Sequence, residues 1–224
     1  MRFSIVVPML NEAAALPRLF TDLRALERQG AEVLVVDGGS HDGSADLALQ
    51  AGLRVLPSPR GRARQMNLGA AHAAGDVLLF LHADTVLPEG ALAAVAEALR
   101  ATGAVWGRFD VVIEGRHPML RVVAALMNRR SRWTGIATGD QAMFVTRVAF
   151  DAVGGFPDQP LMEDIELSAR LRQRSRPACI GLPVRTSGRR WESRGVWRTI
   201  LLMWRLRWAY WRGAPADLLA QRYR

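Results

Sequence analysis

The sequence contains no lysine: all 30 of its basic residues are arginine. That absence excludes the phosphate-loop lysine of Walker A proteins, the nucleotide-pairing lysine of protein kinases and any Schiff-base chemistry, each of which needs a primary amine. Cysteine is nearly absent too. Cys179 stands alone, which excludes internal disulfides and Cys-rich zinc or iron–sulfur sites and leaves a small buried side chain as the simplest reading. Long apolar runs are missing as well. The longest uncharged stretch, Gln65 to Gly75, is eleven residues, short of the ~18 that a membrane-spanning helix requires. Arg2 precedes the apolar Phe3–Leu10 segment with no small-residue cleavage site behind it, unlike a secretory signal. The expectation is a cytoplasmic protein.

What is present fits one domain or a tight pair of sub-domains, because 224 residues that are half hydrophobic and 23% charged can bury a single core. The net charge of +9 is unevenly distributed. Residues 1–169 hold 16 arginines against 19 acids, whereas residues 170–224 hold 14 arginines against 2. A basic tail of this kind suits phosphate, an anionic membrane or nucleic acid.

Short apolar runs at Phe3–Val7, Val33–Val36, Leu53–Leu56 and Val77–Leu81 read as strands buried on both faces. Helical compositions at Ala13–Gln29, Ser44–Ala51 and Arg62–Ala74 separate them, so the order predicts a parallel α/β sheet with right-handed crossovers. Beyond Pro88 the pattern predicts a helix to about Arg100, a strand over Val105–Ile113 and a helix over His117–Arg130. It continues with a strand over Gln141–Thr146, helices over Val148–Val153 and Met162–Arg174, a strand over 177–184 and a helix over Val196–Trp211.

Ligands of open parallel sheets bind beyond the carboxyl ends of the strands. That rule selects Pro8–Glu12, Asp37–Gly43 and His82–Asp84. Asp37 can accept hydrogen bonds from a base or ribose while the glycines after it allow close approach, and the bland alternative is a cap in which Ser40 or Asp42 starts the next helix. His82 and Asp84, two apart on a strand end, can share a divalent ion or cap the next helix. Glu163, Asp164 and Glu166 open a helix that ends in arginines; this either complements the helix dipole or presents a general base after a Gly/Pro loop. Arg62 and Arg64, with Arg189 and Arg190 beside Trp191, either bind a diphosphate or form a solvated face. Trp197, Leu201, Trp204, Trp208 and Trp211 form one helical stripe flanked by Arg198, Arg205 and Arg212, the pattern of a helix in a membrane interface or of one packed into a core.

Six segments in this order resemble a family 2 glycosyltransferase of the GT-A fold. They are Ser4–Pro8 with Asn11-Glu12, Val35–Ser40 with Asp42-Gly43, Arg62–Gly69, Phe80–Asp84, Gly154–Phe156 and Met162–Asp164. The wording of Phe80–Thr85, Gly139–Gln141, Pro160–Leu167 and Thr186–Trp191 further resembles the small bacterial subgroup of arsenosugar-biosynthesis or selenodomain-associated transferases.

The resemblance implies a GT-A-like domain over 1–190, with a donor half to about 112 and an acceptor half from 113, followed by a basic, Trp-rich helical segment over 191–224. It implies an inverting transfer from a nucleotide-diphosphate sugar, UDP-sugars being favoured, to a small-molecule or lipid-like acceptor. Pro8, Asn11, Glu12, Asp37, Gly39, Arg62, Arg64, Asn67, His82, Ala83 and Asp84 would hold the donor. Asp164, next to Glu163, would be the base, and Asp140, Gln141, Arg189, Arg190 and Trp191 would bound the acceptor and diphosphate. Asp84, with His82, would ligate Mn or Mg. Two departures from the family pattern matter. Gly38 stands where a second aspartate is common, and His82-Ala83-Asp84 replaces Asp-x-Asp, which weakens the metal site. A nucleotidyltransferase is the alternative enzyme, and a basic membrane- or nucleic-acid-binding protein the non-enzymatic one. The tryptophan stripe favours the inner membrane face over nucleic acid.

Overall fold

The computed structural model describes residues 1–223, with every side chain except those of Pro17 and Arg18. The four expected strands form as Phe3–Met9 (β1), Glu32–Asp37 (β2), Arg54–Pro57 (β3) and Val77–Phe80 (β4). Leu16–Arg28 (α1), Ser44–Gln50 (α2) and Arg62–His72 (α3) lie between them. β1 pairs in parallel with both β2 and β4, and β2 pairs in parallel with β3. Ile5, Val7 and Met9 face one hydrophobic layer and Val6 the other, the alternation that a strand covered on both sides requires.

The chain then forms Thr85–Val86 (β5), Ala91–Thr102 (α4), Trp106–Glu114 (β6), Met119–Thr134 (α5), a 3-10 turn at Gly139–Gln141, Phe144–Thr146 (β7) and Arg147–Ala152 (α6). Glu163–Arg172 (α7), Ala178–Ser187 (β8), Arg189–Arg194 (α8), Val196–Trp211 (α9) and Ala216–Tyr223 (α10) complete it. The single mixed sheet has the order β3-β2-β1-β4-β7-β6-β8-β5. Side chains of α1, α4 and α5 pack on one face and those of α3, α6 and α7 on the other. This is the expected α/β architecture, with helices on both faces and a helical C-terminal segment.

The departures have local causes. α1 begins at Leu16 rather than Ala13, because the N–H groups of Asn11, Glu12 and Ala13 donate to Ser40, Ser44 and Asp42 instead of starting a helix. β7 begins at Phe144 rather than Gln141. The Gln141 amide donates to Ser131 Oγ (3.1 Å) and accepts from Thr138 N–H (3.3 Å), which holds residues 139–141 in a turn. β8 runs three residues past its expected end, and its register against β6 shifts between Phe109 and Asp110. β5, α8 and α10 are too short to show a period in sequence. α10 is placed by packing, with Leu219 buried against Met162 and Leu206.

The tryptophan stripe of α9 is not core. Trp197, Leu201, Trp204, Trp208 and Trp211 are all exposed, and the helix buries Val196, Thr199 and Leu206 instead. Among the described residues no helix is long and apolar enough to cross a membrane.

Candidate functional site

The loops after β1 and β2 are built as one unit. Besides the three N–H donations to Ser40, Asp42 and Ser44, Asn11 sits at φ 54 and its side-chain oxygen accepts from His41 N–H at 2.9 Å. Asp37 accepts from the N–H groups of Gly39 (3.0 Å) and Ser40 (3.1 Å) and from the Ser40 hydroxyl. Gly39 adopts φ 86, which a side chain would strain. Asn11, Asp37 and Gly39, all expected on the donor, thus spend polar groups or backbone freedom on holding the rim itself. Gln65, buried between the strand ends, donates to the carbonyls of Met9 (2.8 Å) and Val36 (2.7 Å) and fixes their spacing.

A polar cavity of about 140 Å³ opens over the ends of β1 and β4. Pro8, Glu12, Arg62, His82, Asp84, Asp140, Arg190 and Trp191 line it, so eight of the residues singled out in sequence meet at one place. Thr186, Ser187, Thr199, Met203 and Tyr223 complete the wall. Arg189 lies at the edge and reaches Glu12 at 3.2 Å, joining the first loop to the end of β8. Arg190 donates to the Tyr223 hydroxyl and places its guanidinium over the Tyr223 ring, 5.4 Å from the centroid.

The His82 ring does not turn toward Asp84. Its Nδ1 lies 3.2 Å from Asp140 Oδ1, and its Nε2 is buried without a partner. Gly139 presses on that nitrogen so closely that an added Cβ would fall 2.4 Å from it. Burial pushes the Asp140 carboxyl upward. The hydrogen bond and charge of His82, with the charges of Arg62 and Arg190, outweigh this and hold it below the usual carboxylate range. Among the described residues no group of three or more His, Cys, Asp or Glu stands ready to cage a metal. Asp84 is one carboxylate on the cavity wall. It fits a hard cation that takes its remaining ligands from phosphate oxygens and water, as Mg does.

Glu163 and Asp164 open α7 just after Met162, whose φ of 65 breaks the incoming chain direction. Glu163 is buried and pairs with Arg62 at 3.5 Å. Asp164 accepts from the N–H groups of Gly139 (2.8 Å) and Ile165 (2.7 Å), so it sits directly behind the turn that carries Asp140. Its carboxyl is pushed up to about 6, by burial first and the neighbouring Glu163 charge second, against the two N–H donors and Arg62. Asp164 itself does not line the polar cavity. Arg62 does, Arg130 lines an apolar cavity next to it, and both charges act on Asp164.

Four expected residues lie elsewhere. Arg64 pairs with Asp158 at 2.8 Å. Asn67 holds Phe156 by donating to its carbonyl (2.8 Å) and accepting from its N–H (2.9 Å). Gln141 is fully buried behind the Asp140 turn. Ala83 faces a separate cavity of about 240 Å³, shared with Asp84 and Ser187. Thr199, Met203, Tyr223 and Arg130 went unselected, since each sits in a run that reads as ordinary helix.

The model of glycosyl transferase family 2 matches residues 4–156. A PGL/p-HBAD biosynthesis glycosyltransferase of Mycobacterium tuberculosis is 31% identical over 160 residues, which cover 67% of this chain and 57% of that protein. The chain thus spans a little over half the length of the curated relatives it matches. Among solved structures, Staphylococcus aureus TarS 1–349 in complex with UDP-GlcNAc superposes with a TM-score of 0.64 at 16% identity, over 84% of this chain and 58% of that one. Glucosyl-3-phosphoglycerate synthase of Mycobacterium tuberculosis, in complex with Mn2+, UDP and glucosyl-3-phosphoglycerate, superposes with a TM-score of 0.61 at 19% identity, over 81% and 70%.

Proposed function

The chain belongs to glycosyl transferase family 2, and from that premise we propose that it moves a sugar from a nucleotide-diphosphate donor to an acceptor hydroxyl or carboxylate with inversion at the anomeric carbon. The carrying observation is the polar cavity, where Pro8, Glu12, Arg62, Asp84, Asp140 and Arg190 converge from both ends of the sequence. Arg62 and Arg190 supply positive charge for a diphosphate, and electrostatic stabilisation of that leaving group is usually the largest catalytic contribution. A divalent cation held by Asp84 and the diphosphate would add further charge neutralisation when bound. Two relatives of the same fold hold UDP or a UDP-sugar and one of them Mn2+, which supports UDP-sugars as donors.

The acceptor oxygen attacks the anomeric carbon from the face opposite the diphosphate. The carbon–oxygen bond to the diphosphate breaks, and its electron pair leaves on the nucleotide. Asp164 takes the proton of an acceptor hydroxyl, a task suited to a carboxyl raised to about 6. Glu163 and Arg62 position it: the buried Glu163 charge raises its proton affinity, and Arg62 moderates the effect. The wording of residues 186–191 and 160–167 supports a reading of the chain as a member of the arsenosugar-type subgroup. Residues 1–190 supply most of the donor-facing groups, Trp191, Thr199, Met203 and Tyr223 complete the cavity wall, and the exposed Trp stripe of α9 rests on an anionic membrane surface.

A thermal-shift screen of nucleotide sugars with and without Mn tests this. A true donor raises the melting temperature, and Asp84→Ala abolishes the metal's share of the shift. No stabilisation by any nucleotide or nucleotide sugar would refute the reading.

A further inference from the structure

An apolar cavity of about 540 Å³ lies between α5 and α9, beside the polar one. Its size is within the ~300–1,000 Å³ of small-molecule sites. Val123 and Met127 of α5 and Ile200 and Met203 of α9 form its walls. Val122, Leu126, Trp197 and Trp204 also line it, and these four are 45%, 55%, 60% and 66% exposed, so they edge its mouth. Asp140, Trp191 and Met203 border both cavities. A molecule lying in the apolar space therefore ends against the wall of the polar one. Arg130 breaks the apolar lining: its Nε and Nη2 are buried and have no hydrogen-bond partner. Such buried donors call for an oxygen that the protein does not supply.

We infer that this cavity is the acceptor's own subsite and that the acceptor is an amphiphile. A long apolar body lodges between α5 and α9, and an oxygen-bearing head takes the free N–H groups of Arg130 and meets the donor across Asp140. The inference rests on the transferase reading and names its acceptor class. An acceptor with a polar body would leave the walls of α5 and α9 wet and would gain nothing from the four exposed apolar side chains at the mouth.

The test uses the full chain and n-alkanols from hexanol to dodecanol, with 11-bromoundecanol as a quencher of nearby indoles. Each buried methylene contributes ~0.8 kcal/mol, about fourfold in Kd. Affinity therefore rises about fourfold per carbon until the cavity is filled, and the bromo compound quenches Trp fluorescence saturably. Leu126→Glu at the mouth and Ile200→Glu in the wall each lower undecanol affinity at least tenfold. Leu126 is more than half exposed, so its variant folds, as an unchanged melting temperature verifies. Arg130→Leu lowers undecanoate affinity at least fivefold and undecanol affinity less. Binding that ignores chain length, or that survives in folded Leu126→Glu, overturns the subsite. An equal effect of Arg130→Leu on both ligands overturns the placement of the head. UDP binding is measured in parallel on the unmodified protein. UDP binding without alkanol binding refutes the subsite alone, whereas alkanol binding without UDP binding refutes the transferase reading beneath it.

Discussion

With Asp164 as the proposed base, its carboxyl sets the pH dependence of transfer. Its carboxyl, ordinarily at 3.8, is raised to about 6 because burial and the adjacent Glu163 charge outweigh the N–H groups of Gly139 and Ile165 and the Arg62 charge. A base with that pKa is about 90% ionised at pH 7 and about 10% ionised at pH 5, so kcat/KM should fall roughly tenfold between the two. An unperturbed aspartate would lose less than about one-tenth of its ionised form over the same range. The assay is initial-rate transfer across pH 4.5–8.5 at saturating metal. Asp164→Asn should lower turnover by about 10²–10⁴ and erase the acid limb, while UDP still binds. Stability carries the opposite trend. The folded protein holds this proton more tightly than the unfolded chain, so the associated stabilisation is full below pH 4 and is lost as pH rises through about 6. The loss is on the order of 3 kcal/mol. A flat kcat/KM profile from pH 5 to 7, or an Asn variant within tenfold of the parent, would refute the assignment.

Other outcomes follow from single contacts. Asn67→Ala removes both hydrogen bonds to the Phe156 backbone and should cost about 1–3 kcal/mol, a melting-temperature drop of several degrees by calorimetry. Gly139→Ala drives a methyl into His82 Nε2 and should displace the imidazole from Asp140; UDP affinity falling at least fivefold in titration calorimetry checks it. Arg62→Met leaves the buried Glu163 carboxylate without its cation and should lower both UDP affinity and the melting temperature. Trp204→Ala with Trp208→Ala should reduce binding to anionic vesicles, measured by co-sedimentation; undiminished binding would rule out α9 as the contact.

The sheet's first half was legible because β1, β2 and β4 are apolar on both faces, and a run such as Ser4–Val7 admits few other readings. Glu12, Arg62, Asp84 and Arg190, singled out in sequence, share one cavity wall; Glu12 and Asp84 follow the ends of β1 and β4, where open parallel sheets place ligands. What was not legible is that Asn11, Asp37 and Asn67 each hold a neighbouring backbone. A short polar side chain that holds a neighbouring backbone is written with the same letters as one that holds a ligand. The direction of His82 was hidden for another reason, since its partner Asp140 comes from a turn that Gln141 anchors to α5. Arg130 stands in an arginine run with nothing in sequence to set it apart, and it is the packing of α5 against α9 and α7 that gives it cavities to line.

The sheet order has a consequence for how the chain matures. The parallel block β1–β4 is complete once Phe80 has been made, yet the open side of β4 waits for Phe144–Thr146, the parallel pair of β6 and β8 waits for Ser187, and Glu12 waits for Arg189. During synthesis a long nascent segment therefore carries an unsealed hydrogen-bonding edge, vulnerable to wrong pairing until its distant partner arrives. The wall of the polar cavity closes only after Thr186–Met203 and Tyr223 have emerged, and contacts of such long sequence separation are intrinsically slow to form.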